Sequence, residues 1–140
     1  MGRLRPQAAA IPWRRGPRGQ LEVLLVSATG GGWTVPKGNV ERQADPPATA
    51  RAEAREEAGI EGSLGAELGR FEYEKRGRAY RVVVYGLEVS ALRARWREED
   101  RRVRTWVPIE RAPGLLRRPQ LGAMVRLLAR RLVGEAARVG

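Results

Sequence analysis

Three carboxylates carry the chemistry that this sequence offers. Glu53, Glu56 and Glu57 lie in the run Ala52-Glu53-Ala54-Arg55-Glu56-Glu57-Ala58-Gly59-Ile60. On a helix turning about 100° per residue, all three fall within a sector of roughly 100°. Arg51 and Arg55 point to the other side of such a helix, too far round to neutralise them. Each ionised neighbour raises the cost of ionising the next, so the trio is either a solvated acidic face or a seat for a divalent cation. The chain has no Cys and no His. That excludes a disulfide framework, thiolate or imidazole metal ligands, and any Ser-His or Cys-His catalytic pair. A metal held here must be held by oxygen, which favours Mg2+, Mn2+ or Ca2+.

The carboxylates need a helix, and the sequence supplies one between Asp45 and Gly59. Asp45 can cap its start, Pro46 and Pro47 are tolerated in a first turn, and Gly59 sits where a terminating glycine belongs. Ahead of it, residues 8–13 and 21–26 read as buried strands. Gly30, Gly31 and Gly32 break the second one, Trp33, Thr34 and Val35 begin another extended piece, and Pro36, Lys37 and Gly38 mark a loop. Beyond the helix, residues 64–73 and 80–89 look extended around a turn at Arg76, Gly77 and Arg78, which predicts a hairpin. A charged connection over residues 93–104 leads to a short strand at Thr105, Trp106 and Val107. Leu121, Met124, Val125, Leu127, Leu128 and Leu132 then recur at helical spacing over residues 120–133. The order predicts an α+β fold, with helices packed on a mixed sheet, in a single domain over residues 1–140.

The 27 basic residues outnumber the 16 acidic ones, for a net charge of +11, and only Lys37 and Lys75 among them are Lys. Guanidinium forks suit phosphate, which makes a polyanionic partner plausible; a GC-rich coding bias accounts for the same excess of Arg, Ala and Gly. No apolar stretch reaches the ~20 residues that cross a bilayer. The N-terminal Met1-Gly2-Arg3-Leu4-Arg5-Pro6 carries charge without a continuous apolar segment to follow. The expectation is a cytoplasmic protein without membrane contact.

Gly38, Glu53, Glu56, Glu57, Ala58, Gly59 and Ile60 resemble the Nudix box of hydrolases acting on nucleoside diphosphates linked to another moiety. Counting from Gly38, Ala44 and Ala52 stand where that box has a Glu and an Arg. The resemblance extends along nearly the whole chain. Leu64, Gly65, Gly69, Arg70, Phe71 and Glu72, then residues 80–85 and Val89, are similar to the subgroup acting on diphosphoinositol polyphosphates and long diadenosine polyphosphates, as are Trp96, Arg97, Glu98, residues 102–106 and 109–112. Pro36, Lys37, Gly38, Val40, Glu41, Thr49 and Ala50 also resemble asymmetrical diadenosine tetraphosphate hydrolases.

The resemblance implies an α/β/α sandwich and Mg2+-dependent cleavage of a diphosphate linkage, with Mn2+ as an alternative ion. It makes Glu53 and Glu57 the metal ligands and Glu56 the general base or the group that positions the attacking water, roles that coupled carboxylates can exchange, with the backbone at Lys37 and Gly38 completing the metal and phosphate site. The substrate is a phosphorylated small molecule, gripped by Lys37, Arg5, Arg102 and Arg104; strand alternation puts Arg102 and Arg104 on one face. Glu98, Glu99 and Asp100 offer a further ligand or base, or a solvated run. Trp33, Trp96 and Trp106 either stack on a nucleobase or pack. Other readings stay open: a different nucleoside diphosphate derivative, such as an oxidised nucleotide, a sugar nucleotide or a capped RNA end, or a silent module that binds RNA or another polyanion. With no aromatic RNA-binding pattern and no unbroken basic tract, a nucleic-acid partner is not expected. Monomer and homodimer are both compatible with the sequence.

Overall fold

Strand β1 (Arg5–Arg15) is the strand around which the molecule is built, in a computed structural model that describes residues 3–139. Met1, Gly2 and Gly140, and with them the first residues of the N-terminal segment read above, lie outside the described residues. β1 runs parallel to β6 (Arg78–Leu92) and antiparallel to both β2 (Leu21–Ser27) and β4 (Lys37–Asn39). The sheet continues outward through β3 (Trp33–Thr34) and β7 (Arg104–Pro108) beside β2, and β5 (Ile60–Lys75) beside β6. It is a mixed sheet with helices on both faces, as expected.

The alternation of β1 explains the two layers. Ala8 and Ala10 face one side, where Ala50, Ala54 and Ala58 of α1 (Pro46–Ala58) meet them together with Leu24 and Val26. Methyl groups on both partners let the helix lie close to the strand, and the i, i+4 spacing of its alanines makes the stripe. Ala9, Ile11 and Trp13 face the other side, where Leu121, Met124, Val125, Leu128 and Leu132 of α3 (Pro119–Val139) cover them. A short α2 (Ala112–Leu115) precedes α3.

Helix α1 ends as the sequence predicts: Gly59 takes φ 67° and its N–H closes the helix on Arg55 O at 3.0 Å. Asp45 occupies the N-cap position but makes no side-chain capping bond. The hairpin forms where expected, with Arg76 and Gly77 both at positive φ (52° and 75°) between the paired Lys75 and Arg78, the backbone of a two-residue primed turn. Three readings need correction. Lys37 and Gly38 are not in a loop: Gly38 pairs with Ala8 and Lys37 with Ala9, filling β1 hydrogen-bonding positions beyond the reach of β2. β5 starts at Ile60 rather than near residue 64, because Gly59 turns the chain straight into the sheet. Arg102 lies outside β7, so strand alternation does not relate it to Arg104.

Candidate active site

Glu57 is buried, with 8% of its side chain exposed, because α1 lays it against the sheet beside Ala54 and Ala58. Its Oε2 accepts the backbone N–H of Lys37 at 3.0 Å, and its Oε1 lies 3.4 Å from Nη2 of Arg102. Glu53, one turn earlier, presses its carboxyl against Gly38, where a Cβ would collide with it. This close approach is why β4 has a glycine there. Glu56 faces the outer side of the site, and its Oε1 lies 3.4 Å from Nη1 of Arg97.

The charged connection over residues 93–103 is docked on the C-terminal end of α1. Arg93 N–H donates to Gly59 O at 2.8 Å and Glu98 N–H donates to Glu56 O at 3.1 Å. Trp96 packs against Gly59, whose bare Cα admits it. This docking brings Glu98 within electrostatic reach of both Glu53 and Glu57. Of the three acidic residues weighed in that run, Glu98 is thus the one placed at the helix.

Burial drives the electrostatics. It raises the Glu53 carboxyl from 4.5 to about 7, helped by the neighbouring charges of Glu56 and Glu98. Burial also raises Glu57 to about 7, against the opposing pull of Arg102. Lys37 is pushed down by burial, partly offset by Glu57. Among the described residues no three acidic side chains are gathered round one point as a formed cation cage. The donor chemistry nevertheless fits a hard divalent ion. The donors are all oxygens on one rigid helix, and a cation would replace the protons that burial and repulsion now favour.

A cleft of about 250 Å³ opens beside Glu57. Lys37, Lys75, Arg102, Arg117 and Arg118 line it, with Tyr73 in one wall. Arg118 lies 4.1 Å and Lys37 5.2 Å from the Tyr73 ring centre. The Tyr73 hydroxyl donates to Gln7 Oε1 at 2.6 Å, and Gln7 passes a hydrogen bond of 2.9 Å on to Asn39. Among the described residues no carboxylate lies within ion-pair distance of Lys37, Lys75, Arg117 or Arg118. Sequence reasoning missed Lys75, Arg117, Arg118 and Tyr73, which come from the hairpin and from the link between α2 and α3. One signal was available: the chain's only two lysines meet in this cleft.

The remaining predicted residues are dispersed. Arg5 borders a separate cavity of about 400 Å³ with Arg3, Arg78 and Asn39. Arg104 does not face the cleft: its guanidinium donates to Ala58 O at 2.7 Å and Arg93 O at 2.6 Å, closing the end of α1 onto the docked connection. It also covers the Trp96 ring at 3.8 Å, while Arg14 covers Trp106 at 3.9 Å, so both rings are used in packing. Trp33 is half-buried against the core.

Residues 4–128 match the NUDIX domain. The chain belongs to the NUDIX domain family. Diphosphoinositol polyphosphate phosphohydrolase 2 of Rattus norvegicus is 40% identical over 95 residues, covering 65% of this chain and 52% of that protein. Diphosphoinositol polyphosphate phosphohydrolase 3-beta of Homo sapiens is also 40% identical over 95 residues, covering 65% of this chain and 57% of that protein. The match therefore spans little more than half the length of these curated relatives. An Ap4A hydrolase binary complex from C. elegans shares the NUDIX fold with a TM-score of 0.74 at 24% identity, over 94% of this chain and 99% of that one. A NUDIX hydrolase from Nitrosomonas europaea aligns with a TM-score of 0.71 at 16% identity, over 89% and 87% of the two chains.

Proposed function

We propose that this NUDIX chain is a divalent-cation-dependent pyrophosphohydrolase, using Mg2+, and that its substrates are diphosphoinositol polyphosphates or diadenosine polyphosphates. The observation that carries this reading is the juxtaposition at Glu57 of an acidic helix face and a cleft whose Lys37, Lys75, Arg117 and Arg118 have no carboxylate at ion-pair distance among the described residues. Acidic groups suit a metal, basic groups suit a polyphosphate, and a substrate needing both accounts for their meeting. The relatives named for diphosphoinositol polyphosphates and the fold neighbour named for Ap4A support both compound classes.

Glu53 and Glu57, with Glu98 beside them, would hold the ion, which when bound supplies neutralisation of phosphate charge and acidification of water. Lys37, Lys75 and Arg118 would bind the phosphates of the scissile region, with the backbone at Lys37 and Gly38 lying alongside. Glu56 would take the proton of the attacking water as the new P–O bond forms and the bridging P–O bond breaks. Helix α1 fixes the Glu53 to Glu57 separation more tightly than a loop could. Arg5, with Arg3 and Arg78 round the outer cavity, would receive the far anionic end of a long substrate.

The test is incubation of the purified protein with Mg2+ and a panel of both compound classes in ¹⁸O-labelled water. The expected result is phosphate-containing product carrying the label, which also identifies the phosphorus attacked. Absence of turnover across both classes would overturn the reading.

A further inference from the structure

Buried Glu57 needs a cation, and its own helix supplies none. Arg51 and Arg55 are exposed, Arg55 facing Glu61 at 3.9 Å, and Ala52 occupies the helix position immediately before Glu53. The guanidinium that meets Glu57 comes from another element altogether. Arg102, in the stretch that leads into β7, is only 19% exposed in its side chain. Its Nη2 lies 3.4 Å from Glu57 Oε1, its Nε 3.3 Å from Glu98 Oε1, and its Nη1 donates to Ser27 O at 2.6 Å. One planar fork thus ties together α1, the docked connection and the end of β2. The other cleft cations differ, since none has a carboxylate at ion-pair distance among the described residues. Each of the three guanidinium nitrogens of Arg102 already faces an acceptor within the protein.

We propose that Arg102 is a positioning residue that holds Glu57 and Glu98 in register across the seam between α1 and the connection, and is not a grip on substrate phosphate. This rests on the reading of Glu57 as part of the working site, but part of its test does not need turnover. Guanidinium geometry is central to the role. A lysine ammonium reaches one carboxylate at a time, and glutamine leaves both uncompensated in a poorly solvated place.

Two measurements decide it. The first is thermal unfolding in EDTA of Arg102→Gln, Glu98→Gln, Glu57→Gln and the two double variants with Arg102→Gln. Arg102→Gln is expected to lower Tm, by less when Glu98→Gln or Glu57→Gln is already in place, the signature of a coupled cluster. Equal losses in all backgrounds, or no loss, would overturn the proposal. The second is the kinetics of Arg102→Gln and Arg102→Lys on the compound that the wild type hydrolyses. The expected result is a kcat about 10–100-fold lower with KM within about twofold, and partial recovery of kcat in Arg102→Lys. A raised KM with kcat kept, in either variant, would make Arg102 a substrate contact and overturn the proposal. Should Arg102→Gln not fold, Arg102→Lys carries both measurements. A wild type without turnover would sink the enzymatic reading alone, leaving the unfolding series to judge Arg102.

Discussion

At Glu57 two demands conflict: packing against the sheet removes water from a carboxylate, while its neighbours crowd it with further negative charge. Glu53 shares the difficulty, and both are raised from the ordinary 4.5 to about 7 in the folded chain. Between those values the folded state holds more protons than the unfolded one. The stability they contribute is therefore full below about pH 4.5 and is lost as pH rises through about 7. In EDTA, Tm should fall between about pH 5 and pH 8, less steeply in Glu57→Gln, as thermal unfolding across that range would show; a rising Tm would contradict the raised values. Lys37, lowered by burial, acts in the opposite sense, over a range that ends at its ordinary 10.5. Gly38 allows a second prediction. A methyl group there displaces the flexible end of Glu53 rather than backbone. Gly38→Ala should thus lower turnover about 10–100-fold with little change in Tm, measured by initial rates beside a melting curve. The carboxylate trio and Gly38 were legible because both are local patterns. Lys75, Arg117 and Arg118 were not, since only long-range folding brings the hairpin and the link between α2 and α3 to Glu57.

Among the elements, α1 and the connection over residues 93–103 act as one unit. Their seam is closed by Gly59, whose φ of 67° ends the helix and whose bare Cα admits Trp96. A Cβ at that position would stand 2.7 Å from Arg104 Nη1 and 2.9 Å from Trp96 Cβ. Gly59→Ala should accordingly cost about 1–3 kcal/mol in urea unfolding, and should also depress activity by loosening the connection that delivers Glu98 and Arg102. Both ends of α1 could be located from sequence because proline and glycine are strong punctuation. The hairpin was found for the same reason, through Gly77. β4 reads as a loop in the sequence because three residues show no period; its strand character comes from β1, which offers it backbone partners. α2 was missed because its four residues include Pro113 and Gly114. The resemblance assigns Arg104 to phosphate, whereas its guanidinium donates to the carbonyls of Ala58 and Arg93.

Over the molecule as a whole, a net charge of +11 would attract a polyanionic substrate at a distance, beyond any contact made inside the cleft. Among the described residues no helix is long and apolar enough to cross a membrane. For a polyanionic substrate, kcat/KM should fall steeply as salt shortens the screening length to about 10 Å near 0.1 M, whereas kcat should change little. Lys75→Gln, which removes a cleft cation without touching the acidic helix, should raise KM by about tenfold and flatten that salt dependence. Steady-state rates across a salt series would show both effects, and a KM insensitive to Lys75 would remove that residue from the phosphate contacts. The account stands most directly on how hydrolysis depends on divalent cation in the wild type and in Glu57→Gln, measured side by side on one phosphate anhydride substrate. It predicts turnover that rises with Mg2+ and is abolished by EDTA in the wild type, and at least ~100-fold less turnover at every Mg2+ concentration in the variant. Hydrolysis that persists without any divalent ion, or survives intact in Glu57→Gln, would contradict it.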